Sequence, residues 1–566
     1  MSSVWRVQPP DPRRARALAG SLGLHPLTAQ LLLNRGVADP AEAGRFLRPS
    51  LGELGDPFEI SGMAQAVARF KRAVAERHPI LIFGDSDTDG LTASVILYEA
   101  LRDLGALVRA RQSNRIADGY GLPRALVEQL ARASTRLMVL VDCGTNQLED
   151  VRLLAERGID VVIIDHHVPL ERSVRQAGEP QALINPHCGG GAGDGMCSAG
   201  LAFKTAQALT GKDDERLAGW LDLAAIGTLA DYAPLVGENR LIVSLGLERI
   251  VHTRRPGLRR LCEAAGLSRA EPDAVIKKLV PKLNASGRLG EVSAVWRALL
   301  DVCDERLEDD VAAVGAAHEM TRQLHRQILA QAQEQVSRLH FRDQYVMVVS
   351  RAGWHRGLMG PLASQLARRY GRPAIALAMD DEQGTGSGRS VGRFNLFEAL
   401  RGCQDLLVRF GGHAQACGLT VHRKDVDRFR ELLNQRARVV FQEWETLFNT
   451  RTVDLELLLS QVQAAWVGEV ARLSPFGQGN LRPTVLLRRM SLRSLSARTG
   501  TVSDGTVRVA VRGRVPVVDP EGVYDVVASP ALASGELVLT LGEARVSEAP
   551  PAPVQTSGTT YRRAPV

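Results

Sequence analysis

Short unbroken apolar runs punctuate the first third of the chain: Ile80-Leu-Ile-Phe83, Leu137-Met-Val-Leu-Val141 and Val161-Val-Ile-Ile164. Runs this short, rich in Ile, Val and Leu and lacking polar alternation, predict strands covered on both faces. Strand and helix patterns alternate from about 78 to 190, which predicts βαβ units and a largely parallel sheet. Before them, residues 1 to about 50 predict small helices punctuated by Pro, and 61–77 a helix leading into the first strand. Gly189-Gly-Gly-Ala-Gly-Asp-Gly195 predicts a flexible loop, followed by a helical stretch that includes Leu221 to Asp231. Between 305 and 340, Ala317, Met320, Leu324, Ile328, Ala332, Val336 and Leu339 recur every three or four positions. A helix of that length spans roughly 45 Å and is expected to connect two domains, the alternative being a long helix of the first domain. A second α/β unit follows over about 341–430, with strands at Tyr345–Val349 and Ala374–Leu377, then a helical spacer at 425–448. Period-2 patterns, as in Val507-Arg-Val-Ala-Val-Arg512, predict a small β-barrel or sandwich over 450–548, and the Pro-rich tail from 549 is expected to be disordered.

Each apolar run ends on an acid. Asp85, Asp87 and Asp89 follow the first, Asp142 the second, and Asp165-His166-His167 the third. In open α/β sheets the ligand site lies beyond the carboxyl ends of the strands. Taken as an extended strand end, Asp85, Asp87 and Asp89 alternate onto one face, and Gly90 permits a tight turn after them. A calcium loop of the EF-hand type is excluded, because its twelfth position from Asp85 is Ile96 rather than Glu. Carboxylates at this density repel one another unless cations sit among them. Imidazole beside carboxylates, with no Cys in the set, favours Mn²⁺, with Mg²⁺ as a substitute. Two such ions about 3.5–4 Å apart clamp a phosphoester. Asp142, alone on its strand between the two clusters, is the candidate shared ligand.

Composition narrows the class. The 566 residues suit three or four domains, and 45% apolar with 23% charged residues is ordinary for a soluble globular protein. The excess of Lys+Arg over Asp+Glu, 70 − 63 = 7, suits a polyanionic partner such as nucleic acid. Seven Cys with no CxxC pair exclude a disulfide framework and a structural zinc site, and point to a reducing compartment. No run of eighteen apolar residues predicts a membrane span, and the N-terminus lacks a signal-peptide core, so a cytoplasmic protein is expected.

Asp-x-Asp-x-Asp-Gly, a later Asp-x-Gly and then Asp-His-His resemble the DHH phosphoesterase superfamily, and within it the branch of single-strand-specific DNA exonucleases. The resemblance spans nearly the whole chain. Arg115 with Gly119-Tyr-Gly-Leu122, Ile184-Asn-Pro186, Gly200-Leu-Ala-Phe-Lys204, Ala225–Asp231 with Pro234-Leu235 and Asn239-Arg240, and Pro281–Arg288 match successive landmarks of the first domain. Trp354-His-Arg-Gly357, Gly386–Ser390 and Gly411–Gly418 resemble the DHH-associated domain, and Ser474–Asn480 the segment that opens an OB-type domain. The fold implied is α/β: a parallel-sheet DHH domain at 51–304 behind the helical segment 1–50, a connector helix at 305–340, a smaller α/β DHH-associated domain at 341–449, and an OB-like barrel at 450–548 ahead of the tail 549–566.

The resemblance implies metal ligation by Asp87, Asp89, Asp142, His166 and Asp231, with His167 orienting a ligand or the scissile phosphate and Asp85 as a direct or indirect partner. Arg115, Arg288, Ser387 and Arg389 would hold a terminal 5′-phosphate, and His413 a phosphate near the metals. Phe83 departs from relatives that place a His ligand there, leaving its place to Asp85 or water. The activity implied is metal-dependent 5′ to 3′ hydrolysis of single-stranded DNA to mononucleotides by a monomer, in recombination and repair. A single-strand-binding protein and a helicase are implied as partners, though no residue here fixes either. Two alternatives stand beside it: a phosphodiesterase for short oligonucleotides or cyclic dinucleotides, and a non-catalytic DNA-binding scaffold. In the barrel, Arg482, Arg488, Arg489 and Arg493 would supply charge to a single strand, with Tyr524 the one aromatic between 477 and 548.

Overall fold

The apolar runs become the middle of a parallel sheet. A computed structural model of the chain describes residues 4–117, 119, 121–130, 134–169, 180–302, 305–339, 344–392, 394–442, 450–516, 518–519 and 521–547. The expected disordered tail and Tyr120 lie outside these residues. Two units emerge: Leu54–Phe448, and a second made of Met1–Glu53 together with Asn449–Val566.

In the first unit, β1 (Ile80–Gly84), β2 (Val108–Gln112), β3 (Leu137–Val141), β4 (Asp160–Ile164) and β5 (Ala182–Ile184) run parallel in the order β2-β1-β3-β4-β5. Every residue of β3 is buried, as its lack of alternation predicts. Each such Val or Leu side chain contributes about 1.5–3 kcal/mol to the core. β1 feeds α1 (Thr88–Asp103), against which α2 (Ser198–Thr210) and α3 (Leu221–Ala230) pack. One feature of α1 is a buried network: Arg255 forks onto both carboxylate oxygens of Glu99 at 2.8 Å, and Trp220 Nε1 donates to Glu99 at 2.9 Å.

Further along come α4 (Val280–Leu289) and the long helix α5 (Leu307–Ser337). Ile328, Ala332 and Val336 of α5 enter the core of the second sheet, but Met320 is 54% exposed, so the apolar stripe does not hold over the first half. The second sheet comprises β6 (Met347–Ala352), β7 (Ala374–Met379), β8 (Gln383–Arg389), β9 (Leu407–His413) and β10 (Ala416–His422), in the order β9-β10-β8-β7-β6. Only β6 and β7 are parallel; the other three strands escaped the sequence reading. β8 explains why. Gln-Gly-Thr-Gly-Ser-Gly-Arg has little strand propensity, yet a Cβ on Gly386 would run into the Ala376 carbonyl, so Gly is what lets the strands close up.

The second unit has a barrel of β11 (Val485–Ser496), β12 (Thr499–Ser503), β13 (Arg508–Arg512), β14 (Val523–Ala533) and β15 (Glu536–Val546). The order β11-β12-β13-β15-β14 closes through β14–β11 pairing, an OB-like five-stranded barrel. The helices Pro12–Leu22, Pro26–Leu33 and Pro40–Leu47 each start on Pro behind a capping Asp11, His25 or Asp39. They do not stand apart: Leu27, Leu31 and Leu32 share one core with Trp466, Val467 and the barrel interior. Val4–Val7, a strand the sequence did not announce, pairs in parallel with Thr450–Val453. Trp5 donates to Glu543 at 2.9 Å beneath the Arg545 guanidinium, 3.8 Å from the ring centroid. The charge expected from the barrel is partly spent internally. Arg488 pairs with Glu456 and Asp525, and Arg482 lies over Phe476, whereas Arg493, Arg508 and Arg512 are exposed. Among the described residues no helix is long and apolar enough to cross a membrane.

Candidate metal centre

The site is assembled where β1, β3 and β4 end. The Asp85–Asp89 segment is not an extended strand end: β1 stops at Gly84, and Asp87 is already the N-cap of α1, accepting from Gly90 N at 3.2 Å. Turning into a helix, rather than alternation, brings the three acids round. Asp85 stays beside the strand, Asp87 caps the helix, and Asp89 lies in its first turn, where its two oxygens accept from Ser198 N at 2.8 Å and Ala199 N at 2.9 Å. Those amides open α2, so a helix N-terminus holds the carboxylate. Asp142 follows β3 with φ of 60°, a left-handed conformation that Asp tolerates better than most residues. Its Oδ1 accepts from Ser198 Oγ at 3.0 Å.

His166 stands among the acids, with Nε2 3.3 Å from Asp142 and 3.8 Å from Asp89, and Nδ1 3.7 Å from Asp231, the residue that ends α3. Ligand atoms of Asp142, His166 and His167 all lie within 4.8 Å of one another, as do those of Asp85, Asp87 and Asp142. Asp142 belongs to both groups. Phe83 is fully buried with Leu122, Leu126 and Met138, in the core and away from any ligating role.

The ionisation of these groups supports the fit to cations. Burial, then the neighbouring Asp87 and Asp89, pushes the Asp142 carboxyl well up. Burial raises Asp231 to about 7, and burial with Asp89 raises Asp87. Burial pulls the His166 imidazole down, but Asp142, Asp231 and Asp89 reverse this and hold it well above its ordinary value. Acids that retain protons and share one imidazolium lack positive charge, which divalent cations supply.

Asp165 behaves differently. Though buried, it accepts from Thr145 N, His166 N and His167 N, and His167 Nδ1 donates to it at 2.7 Å, so it titrates below the usual range. It orients His167 rather than joining the metal group, a role the sequence did not reveal. Asn185 adds a bond to the His167 carbonyl at 2.9 Å, and Asn284 of α4 accepts from Thr88 N at 2.8 Å. Both Asn residues sit inside landmarks read from the sequence, which was the available signal.

The remaining site residues gather beside the acids. Arg115 forks onto Asp85 and reaches Asp87 at 3.0 Å, while Ser113 donates to Asp85 at 2.7 Å. Asp85 is thus engaged by protein groups. Burial, then Arg115 and Arg389, lowers Arg288 to about 10, which places three guanidiniums within electrostatic reach. Arg389 and Ser387 line the same spot beside Gly360. His413 is lowered by burial, then by Arg389, His167 and His166, so the end of β9 lies within electrostatic reach of the two His residues.

The DHH family, N-terminal domain, matches residues 79–228 and the DHHA1 domain matches 343–438, the class that the parallel sheet with its Asp/His rim and the second sheet define. The single-stranded-DNA-specific exonuclease RecJ of Bacillus subtilis is 34% identical over 551 residues, covering 96% of this chain and 69% of its own. That of Thermus thermophilus is 32% identical over 491 residues, 85% and 69% of the two chains. Among solved structures, Thermus thermophilus RecJ in complex with Mn²⁺ superposes with a TM-score of 0.81 at 27% identity, covering 96% of this chain and 80% of that one. A structure of the same protein with Mg²⁺ gives 0.75 at 26%, covering 96% and 79%. The chain belongs to the RecJ family of single-stranded-DNA-specific exonucleases.

Proposed function

We propose that this chain is a metal-dependent exonuclease that hydrolyses single-stranded DNA from a 5′ end to mononucleotides, in recombination and repair. The observation that carries the reading is Asp142, shared by two groups of ligating atoms and so suited to lie between two cations. Asp87, Asp89, Asp142, His166 and Asp231 would hold two divalent ions, Mn²⁺ preferred and Mg²⁺ possible. Such a pair, when bound, polarises a phosphoester and acidifies a water. His167, aimed by Asp165, orients the scissile phosphate. Arg288, Arg389 and Ser387 receive the 5′-phosphate, whose charge relieves the crowding of guanidiniums; Arg115 ties this pocket to Asp85 and Asp87. His413 contacts a phosphate from the opposite sheet.

The barrel favours a polymer over a dinucleotide as substrate, since such folds bind single strands. Action as a monomer in the cytoplasm, alongside a single-strand-binding protein and a helicase, completes the proposal. The free thiols among the described residues suit a reducing compartment. The test is a manganese titration of degradation on matched 5′-phosphorylated single- and double-stranded DNA, with wild type and Asp142→Asn. The variant is expected to lose about 10²–10³-fold in rate at saturating Mn²⁺. Undiminished hydrolysis by it would rule out the shared ligand.

A further inference from the structure

Lysine is rare in this chain: seven residues against 63 Arg, and three of the seven fall at 277, 278 and 282. They surround a cleft of about 510 Å³ on the first unit, completed by His318 and Arg322 of α5 and walled by Ala264 and Pro281. That volume is in the range of small-ligand sites.

The cleft has a structural cause. Pro272–Ala274, a π-helical turn at Val275–Leu279 and α4 form one continuous helix. Pro281 offers no N–H to the carbonyl four residues back and its ring crowds it, so the backbone widens by one residue in that turn. The widened turn carries Lys277 and Lys278, and Lys282 follows it. The His318 ring bonds the Pro281 carbonyl, and burial with Lys282 beside it lowers its ionisation, leaving it neutral. Lys277 is paired with Asp273 at 2.8 Å and Arg322 with Glu319 at 3.1 Å. Among the described residues Lys278 reaches only the Gly266 carbonyl, at 3.2 Å, and Lys282 has no acid partner. Two positive charges therefore remain uncompensated over a partly apolar wall. Lys282 precedes Arg288 by six residues, about 9 Å along the helix and on a different face, so the cleft is separate from the catalytic rim.

We propose that this cleft is a second nucleotide-binding site, in which Lys278 and Lys282 hold a phosphate while Ala264 and Pro281 receive the sugar or base. The class of ligand rests on the exonuclease reading, whose product is a 5′-mononucleotide and whose substrate is a strand of them; either source presents the same chemistry.

The scarcity of lysine makes the test direct. The metal-free full-length protein is labelled with an amine-reactive acetylating reagent, and each lysine is quantified by mass spectrometry, with dTMP, with a dT oligomer, or with inorganic phosphate. Labelling of Lys278 and Lys282 is expected to fall several-fold with dTMP or the oligomer, while the exposed Lys71, Lys212 and Lys424 are unchanged. Protection by dTMP assigns the released product as the source, and protection by the oligomer alone assigns the strand. No protection by either, or equal protection by inorganic phosphate, would overturn the proposal. As a second measurement, Lys278→Glu/Lys282→Glu should lose one component of the dTMP binding isotherm that Lys278→Arg/Lys282→Arg retains; an unchanged isotherm in the Glu variant would overturn the proposal. Protection is read without metal and so without turnover; intact protection together with no hydrolysis in the manganese titration would sink the exonuclease reading and leave the cleft standing.

Discussion

Asp165 belongs to neither group of ligating atoms, yet it holds a member of one, His167, in place. It accepts three backbone N–H groups and the His167 ring, and so fixes which nitrogen of His167 faces the rim. Asp165→Asn is expected to lower the rate about 10–100-fold and to shift the manganese dependence to higher concentration; a changed rate with an unchanged metal titration would place its effect on phosphate orientation alone. Glu99 gives a stability prediction. Burial raises its carboxyl, but Arg255 more than reverses this, so it titrates below the ordinary value. A lowered folded-state pKa contributes stability above the unfolded value, near 4.3, that is lost as pH falls through the folded value. Glu99→Gln should cost about 3–5 kcal/mol in chemical denaturation at pH 7, since it leaves Arg255 buried without its partner, and the difference from wild type should shrink in acid. At this scale the acids and His residues were legible because strand ends announce them. The Ser198 and Ala199 amides that hold Asp89 were not, because a backbone N–H has no signature in sequence.

At the scale of elements, the approach of α4 to the acid-bearing turn is what brings Arg288 within electrostatic reach of Asp87. Gly287 permits it, since a Cβ there would meet the Ser86 carbonyl oxygen. Gly287→Ala should push α4 outward, cost about 1–3 kcal/mol of stability, and reduce hydrolysis while the fold persists by circular dichroism; full activity would show that the contact tolerates movement. The strands β1, β3 and β4 could be read because they are continuous and doubly covered. β8, β9 and β10 could not, because Gly-rich stretches such as 384–388 and 411–412 look like loop. Val4–Val7 is too short to signal itself, and its partner is remote.

At the scale of the whole molecule, the second unit is built from both ends of the sequence. Leu27, Leu31 and Leu32 fill a core whose other side is Trp466, Val467 and the barrel. Deletion of residues 1–53 is expected to remove or strongly lower one calorimetric transition, the barrel's, while the transition of Leu54–Phe448 persists. Two unaltered transitions would mean the barrel stands alone. The α/β order and the β-rich close were legible from periodicity, whereas the union of the termini was not, since no local pattern reports a contact between His25 and Glu469, 444 positions apart.

That union also orders events during synthesis. Residues 4–53 leave the ribosome long before the segment that completes their core, whereas Leu54–Phe448 emerges contiguously and can fold as it appears. The early helices must wait, apolar faces bare, for the segment 450–547. A transcript cut short downstream of the catalytic region would thus release a chain with a finished cutting domain and an orphaned, sticky leader, a form suited to capture by chaperones and removal by proteases.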